Sequence, residues 1–239
     1  MIINLISGPR NVSTALMYSF AQRSDTRVLD EPFYAVYLSK TGADHPGAEA
    51  VLRALSSSEH EVKADISAAD AAPEKSVLFI KNMAHHMAAL GDPLIRGAKN
   101  IFLIRDPALI LASYSEVISR PNMRDIGIGY QFELFNVLRQ EGRNPIVLDS
   151  GYLLENPASV LMKLCAACSI PFEQRMAHWP EGPKPYDGVW APYWYARVHQ
   201  TTGFDRPQTP SRPLPAHLQK LCMQARSIYE KLLPFSLKA

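Results

Sequence analysis

Five short apolar runs in this chain are each followed by a loop and then by residues spaced for a helix, and that alternation limits the fold more than any other feature. The runs are Ile2 to Ile6, Arg27 to Leu29, Ser76 to Ile80, Asn100 to Ile104 and Pro145 to Leu148. Strands that alternate with helices return across the sheet each time, so a central parallel sheet with helices on both faces is expected, a three-layer α/β/α arrangement. The 239 residues, 47% hydrophobic and 20% charged, can bury one sizeable core, and a single domain over 1–239 is expected. The stretch 180–215 differs: rich in proline and aromatics, it reads as an irregular lid or substrate wall over the sheet edge.

Charge and cysteine usage narrow the class. A formal net charge of +2 is too small for a protein that coats nucleic acid, yet it leaves room for a local basic cleft that holds one anion. No basic region precedes a long apolar stretch and no run approaches the roughly 18 apolar residues of a membrane span, so neither a leader nor a membrane partner is expected. Cys165, Cys168 and Cys222 form an odd set suited to reduced thiols, which points to a cytoplasmic location. Cys165 and Cys168 fall on a helix opened by Asn156 as N-cap and Pro157 at its first position. Without a second cysteine pair or a nearby histidine pair they read as core, and no metal site is expected. Oligomeric state is left open.

The first strand runs into "SGPRNVSTALMYSF", a strand, a loop and the start of a helix. Such a turn offers unpaired backbone N–H groups and the positive end of a helix dipole to an anion. Against the pattern GxxxxGK[ST], Gly8 fits and permits the tight turn, but Ser13 stands for the second glycine, Thr14 for the lysine and Ala15 for the hydroxyl that would hold Mg²⁺. A metal-dependent kinase is therefore poorly supported. Arg10, Ser13 and Thr14 can bind tetrahedral oxygens without a metal. The plainer alternative is an ordinary turn in which Ser13 caps the helix.

A second segment, "NIFLIRDPALILASYSE", places Arg105 at the carboxyl end of its strand and Ser113 about two helical turns on. Arg105 would lie on the sheet edge that carries the first loop. Its alternative role is an ion pair with Asp106 or Glu116.

Together these motifs resemble the sulfotransferases that use 3'-phosphoadenosine 5'-phosphosulfate (PAPS). "GPRNVSTAL" is similar to their 5'-phosphosulfate loop, and "LIRDPALILASY" to their 3'-phosphate motif, in which a serine follows a strand-end arginine by eight residues. "PIVLDSGYLLENPASVLMKLCAACSIPF" is a looser match to a third family stretch. The resemblance implies a P-loop NTPase-like α/β fold, PAPS as donor and a small-molecule acceptor with a hydroxyl or amine. It assigns Gly8, Arg10, Asn11, Ser13 and Thr14 to the 5'-phosphosulfate, and Arg105 and Ser113 to the 3'-phosphate. Asn11 and Val12 replace the usual Ser-Gly of the loop, which removes freedom at φ > 0. No copy of the family's C-terminal RKG segment is found, and Arg197 is the best substitute.

Two sites compete for the general base. Glu31, in "VLDEPFY", resembles the base of the tyrosylprotein and some bacterial branches, and its place before Pro32 suggests an extended backbone with Arg10 nearby to keep it ionised. In "FIKNMAHH", Lys81 matches the lysine of the cytosolic Lys-Thr-His motif, but Met83 stands in the histidine's place, and His85 and His86 come two and three residues late. The expected activity is metal-independent, in-line sulfuryl transfer. An ATP-dependent small-molecule kinase and a non-catalytic nucleotide-binding module of the same fold are the alternatives.

Overall fold

The computed structural model describes residues 1–90, 96–205 and 214–238. Its five strands are β1 (Ile2–Ser7), β2 (Thr26–Asp30), β3 (Val77–Met83), β4 (Lys99–Ile104) and β5 (Ile146–Asp149), each within three residues of the sequence expectation. They form one sheet in the order β2-β3-β1-β4-β5, and every pairing is parallel.

Strand periodicity builds the two faces. Ile6, Leu78, Ile80, Phe102, Ile104 and Val147 pack on one side under the helices Pro107–Tyr114, Ile128–Gln140 and Ala216–Leu232. Ile3, Leu5, Phe79, Ile101, Leu103 and Leu148 pack on the other under Ser13–Ala21 and Pro157–Cys168. Successive side chains of a strand point to opposite faces, so near-continuous apolar runs are what a sheet covered on both sides requires. The three-layer α/β/α fold is thus observed, with Asn156 capping Ser159 N–H at 3.2 Å and Pro157 opening the helix that buries Cys165 and Cys168.

Strand order decides where a ligand can sit. The chain leaves β1, passes over β3 to reach β2, returns to β3, and then crosses β1 to reach β4. In open parallel sheets the crevice outside the carboxyl ends of the strands, where the winding reverses, is the ligand site. Register sets the crevice's walls: Ser7 lies opposite both Met83 and Leu103, and Asp30 lies opposite Lys81. The ends of β2, β3, β1 and β4 therefore open on one edge.

The described part of the stretch 180–215 runs irregularly over that edge. Tyr18 OH donates to Asp187 at 2.6 Å and Gly188 N–H donates to Asp30 at 3.2 Å, pinning the segment across β2. Residues 206–213 of the expected lid lie outside the described residues. No helix among the described residues is long and apolar enough to cross a membrane.

Candidate active site

A cavity with about 200 Å³ of water-accessible space opens at the carboxyl edge, lined by the first loop, by Glu31, Lys81, His85 and His86, by Arg105 and Ser113, and by Trp190 to Arg197 of the overlying segment. The loop's shape comes from strain. Arg10 (φ 54°) and Val12 (φ 50°) both take left-handed backbone conformations, which for a β-branched valine is a true outlier. Alternating left-handed residues curl backbone N–H groups into a concave anion nest, and such strain persists where the surroundings over-determine it. The missing loop glycines therefore did not prevent the φ > 0 geometry.

Two readings of the loop need correction, and a third residue gains a structural contact. Gly8 is not in a left-handed turn and does not line the cavity; a Cβ there would sit 2.5 Å from the carbonyl oxygen of Ile126, so glycine answers a close backbone approach. Asn11 lines the cavity, and its buried side chain donates from Nδ2 to the Leu103 carbonyl at 2.6 Å, which ties the loop to β4. Ser13 caps nothing, because the position before the helix is Val12 and no side chain caps it. Ser13 and Thr14 instead line the cavity at the helix entrance.

Arg10, Arg105, Ser113 and Arg197 converge. Arg10 Nε donates to Ser113 Oγ at 2.8 Å, and Arg105 Nη1 donates to the Arg10 carbonyl. Asp106, the ion-pair partner open to Arg105 on the sequence, is engaged elsewhere: it caps Ala108 N–H at 2.8 Å and accepts from Arg226 at 2.9 Å. Among the described residues neither Arg10 nor Arg105 has a carboxylate within ion-pair distance, while Arg197, half exposed, reaches Asp205 at 3.8 Å. Burial holds the Arg10 guanidinium below its usual pKa; Glu116 raises it and Arg197 lowers it further. Burial does the same to Arg105, followed by the charges of Arg197 and Arg10. Mutually repelling, partly desolvated guanidiniums around a nest form a receptor for a multiply charged anion.

The opposite wall is built by register. Lys81, fully buried at the end of β3, donates to Asp30 Oδ1 at 2.8 Å, to Glu31 Oε1 and to Tyr195 OH at 2.8 Å. Tyr195 OH in turn donates to Asp30 Oδ2 at 2.7 Å and accepts from Trp190 Nε1 at 3.0 Å. Burial pushes Glu31 up to about 7, against the pull of Lys81, with Asp30 adding to the rise. Although burial disfavours its charge, Asp30 and Glu31 carry Lys81 up to about 12. Two expectations fail here. Glu31 is paired with Lys81, not Arg10, and its backbone is left-handed (φ 41°) rather than extended. Its N–H donates to the Lys81 carbonyl at 2.8 Å and its own carbonyl accepts from Tyr34, a tight turn that aims the carboxylate back over β3.

His85 and His86 open the helix Ala84–Ala88 and line the cavity, buried rather than at the surface. His86 Nδ1 lies 3.7 Å from Glu31 Oε2. Burial depresses both: His85 to about 3, assisted by His45 and Arg124, and His86 well below its ordinary value, assisted by His85, His45 and Lys81. Asp30, Tyr195 and His45 escaped the sequence reading. The Asp30–Lys81 contact is visible only once β2 and β3 are known to pair in register, and the other two come from irregular segments with no motif.

The sulfotransferase domain model matches residues 1–232. The chain is 37% identical over 232 residues to branched-chain-amino-acid aminotransferase-like protein 1 of Arabidopsis thaliana and 36% identical to protein 2 of that name. Those matches cover 97% of this chain but 41% of each relative, so the chain spans less than half of their length. Among solved structures, the sulfotransferase domain of a Synechococcus olefin synthase superposes with a TM-score of 0.60 at 21% identity, covering 96% of this chain and 94% of that one. A sulfotransferase from Alicyclobacillus acidocaldarius gives 0.55 at 12% identity, covering 99% and 97%. These likenesses agree with a P-loop-like α/β fold built on the parallel sheet described above. With the domain model spanning nearly the whole chain, this protein belongs to the sulfotransferase family.

Proposed function

We propose that the chain transfers a sulfuryl group from PAPS to a hydroxyl or amine of a small-molecule acceptor. The observation that carries this reading is the arginine cluster: Arg10 within the strained phosphate-type loop and Arg105 beside it have no carboxylate at ion-pair distance among the described residues, and Arg197 stands at the rim. PAPS, when bound, supplies the sulfuryl group, which leaves the 5'-phosphate oxygen as a bond forms to the acceptor.

This chain's residues divide the remaining work. Ser13, Thr14 and the backbone N–H groups of the loop hold the 5'-phosphate at the helix entrance. Arg105, with Ser113, holds the 3'-phosphate that distinguishes PAPS from ATP. Arg10, fixed by Ser113, neutralises the charge that grows on the leaving oxygen. Glu31, across the cavity, takes the acceptor's proton. Tyr34, Tyr114, Trp190 and Trp194 make an aromatic wall suited to an acceptor with an apolar body.

Transfer of radiolabelled sulfur from PAPS to members of an acceptor panel tests the reading. Labelled product should appear with PAPS and no labelled phosphate with ATP and Mg²⁺; the reverse pattern would favour a kinase. Within the same assay Arg10→Ala should lower kcat about 10²-fold with a smaller loss in donor binding, because its contact strengthens in the transition state. Arg10→Lys should recover part of the rate, supplying charge without the planar fork. An unchanged kcat in Arg10→Ala would reduce this residue to bracing Ser113.

A further inference from the structure

The geometry points to a binding site for a divalent transition metal, formed by His45, His85 and His86 on the acceptor side of the cavity. One ring nitrogen from each residue lies within 4.8 Å of the other two. His85 and His86 are 4% and 2% exposed, and their Nδ1 atoms are enclosed with no hydrogen-bond partner among the described residues. Nor does either ring make a hydrogen bond through its other nitrogen there. Two enclosed imidazole nitrogens without a partner cost roughly 1 to 3 kcal/mol each, a penalty that a bound ligand would remove.

His45 reaches the cluster from the loop after helix Tyr34–Thr41, and its Nδ1 is hydrogen-bonded to Tyr34 OH at 2.8 Å. That contact orients the ring and leaves Nε2 for the ion, the role outer-shell partners play at metal sites. An all-nitrogen donor set selects zinc-like ions over Mg²⁺ or Ca²⁺. Bonds of about 2.0 to 2.1 Å to zinc require the nitrogens to draw somewhat closer than they stand.

Three protein ligands leave the fourth position open toward the cavity that all three histidines line. An acceptor hydroxyl placed there would bind the ion through its oxygen and lose its proton more readily, within reach of Glu31. This role rests on the sulfuryl-transfer reading; ion binding does not. The donor phosphates, held by the arginines, need no metal.

The test uses the full chain without a histidine tag, titrated with Zn²⁺ and with Co²⁺. One equivalent of each is expected, Co²⁺ with the visible absorption of a four-coordinate nitrogen site, and Mg²⁺ in excess should not compete. His45→Ala, a loop substitution, and His85→Ala should each weaken Zn²⁺ binding at least tenfold, while His60→Ala, on the exposed face of its helix, should leave it unchanged. Circular dichroism of each variant establishes that it is folded, and His45→Ala decides the matter if His85→Ala is not. Absence of stoichiometric binding to the parent chain, or binding undiminished in His45→Ala, would overturn the proposal. Titration of the same samples with adenosine 3',5'-bisphosphate separates that failure from failure of the donor reading.

Discussion

Glu31→Gln is expected to lower turnover with a hydroxyl acceptor by about 10³-fold while leaving adenosine 3',5'-bisphosphate binding near that of the parent chain. Glutamine keeps the shape of the side chain and its amide oxygen can still accept from Lys81 Nζ, while the backbone carbonyl of residue 31 still accepts from Tyr34 N–H, so the tight turn at φ 41° is retained. What it loses is the capacity to take a proton. The residues proposed to hold the donor are others of the cavity lining, Arg10, Ser13, Thr14, Arg105 and Ser113, which is why nucleotide binding should be spared. Steady-state kinetics with thermal melting in adenosine 3',5'-bisphosphate reads both quantities on one preparation. Undiminished turnover would move the base to His86, the imidazole 3.7 Å from this carboxylate.

Lys81→Met is expected to destabilise the fold by about 3 to 5 kcal/mol, measured by urea unfolding. Methionine matches the length of lysine but leaves Asp30 and Glu31 facing each other in a buried wall, and it removes the donor to Tyr195 OH. The Lys81 cluster also fastens the segment over the cavity, since Tyr195 and Gly188 both reach it through Asp30. Adding Asp30→Asn to Lys81→Met should recover part of the loss by removing one of the two opposed charges. A cost below about 1 kcal/mol would mean that the buried lysine contributes little beyond packing.

The parts of this architecture that could be read from the sequence are the ones set by local rules. Runs such as Ile2 to Ile6 and Asn100 to Ile104 fixed the strands because a doubly covered parallel strand must be apolar on both faces. Arg10, Arg105 and Ser113 were legible because each sits at a constant offset from its own strand end, and the sheet then brings them within hydrogen-bond reach. What depended on strand order was not legible. The pairing of Asp30 with Lys81 follows from β2 lying beside β3, a tertiary choice that no local pattern specifies. The left-handed turn at Glu31 is imposed by its hydrogen bonds to Lys81 and Tyr34, against the extended preference of a residue before proline. The bond from Asn11 Nδ2 to the Leu103 carbonyl is visible only once β4 is placed against the loop. His45 lies 40 residues from His85 in a loop, so nothing in its spacing connects it to the cavity.

The central claim is that the arginine cluster holds a nucleotide bearing a 3'-phosphate, and calorimetric titration of the chain with adenosine 3',5'-bisphosphate, AMP, and ATP with Mg²⁺ tests it most directly. The bisphosphate should bind at least tenfold more tightly than either of the others, because a single charge-assisted contact is worth roughly 1.5 to 3 kcal/mol. Arg105→Ala should bring the bisphosphate down to the level of AMP. Equal affinity for all three nucleotides in the parent chain, or a preference that survives in Arg105→Ala, would contradict the account.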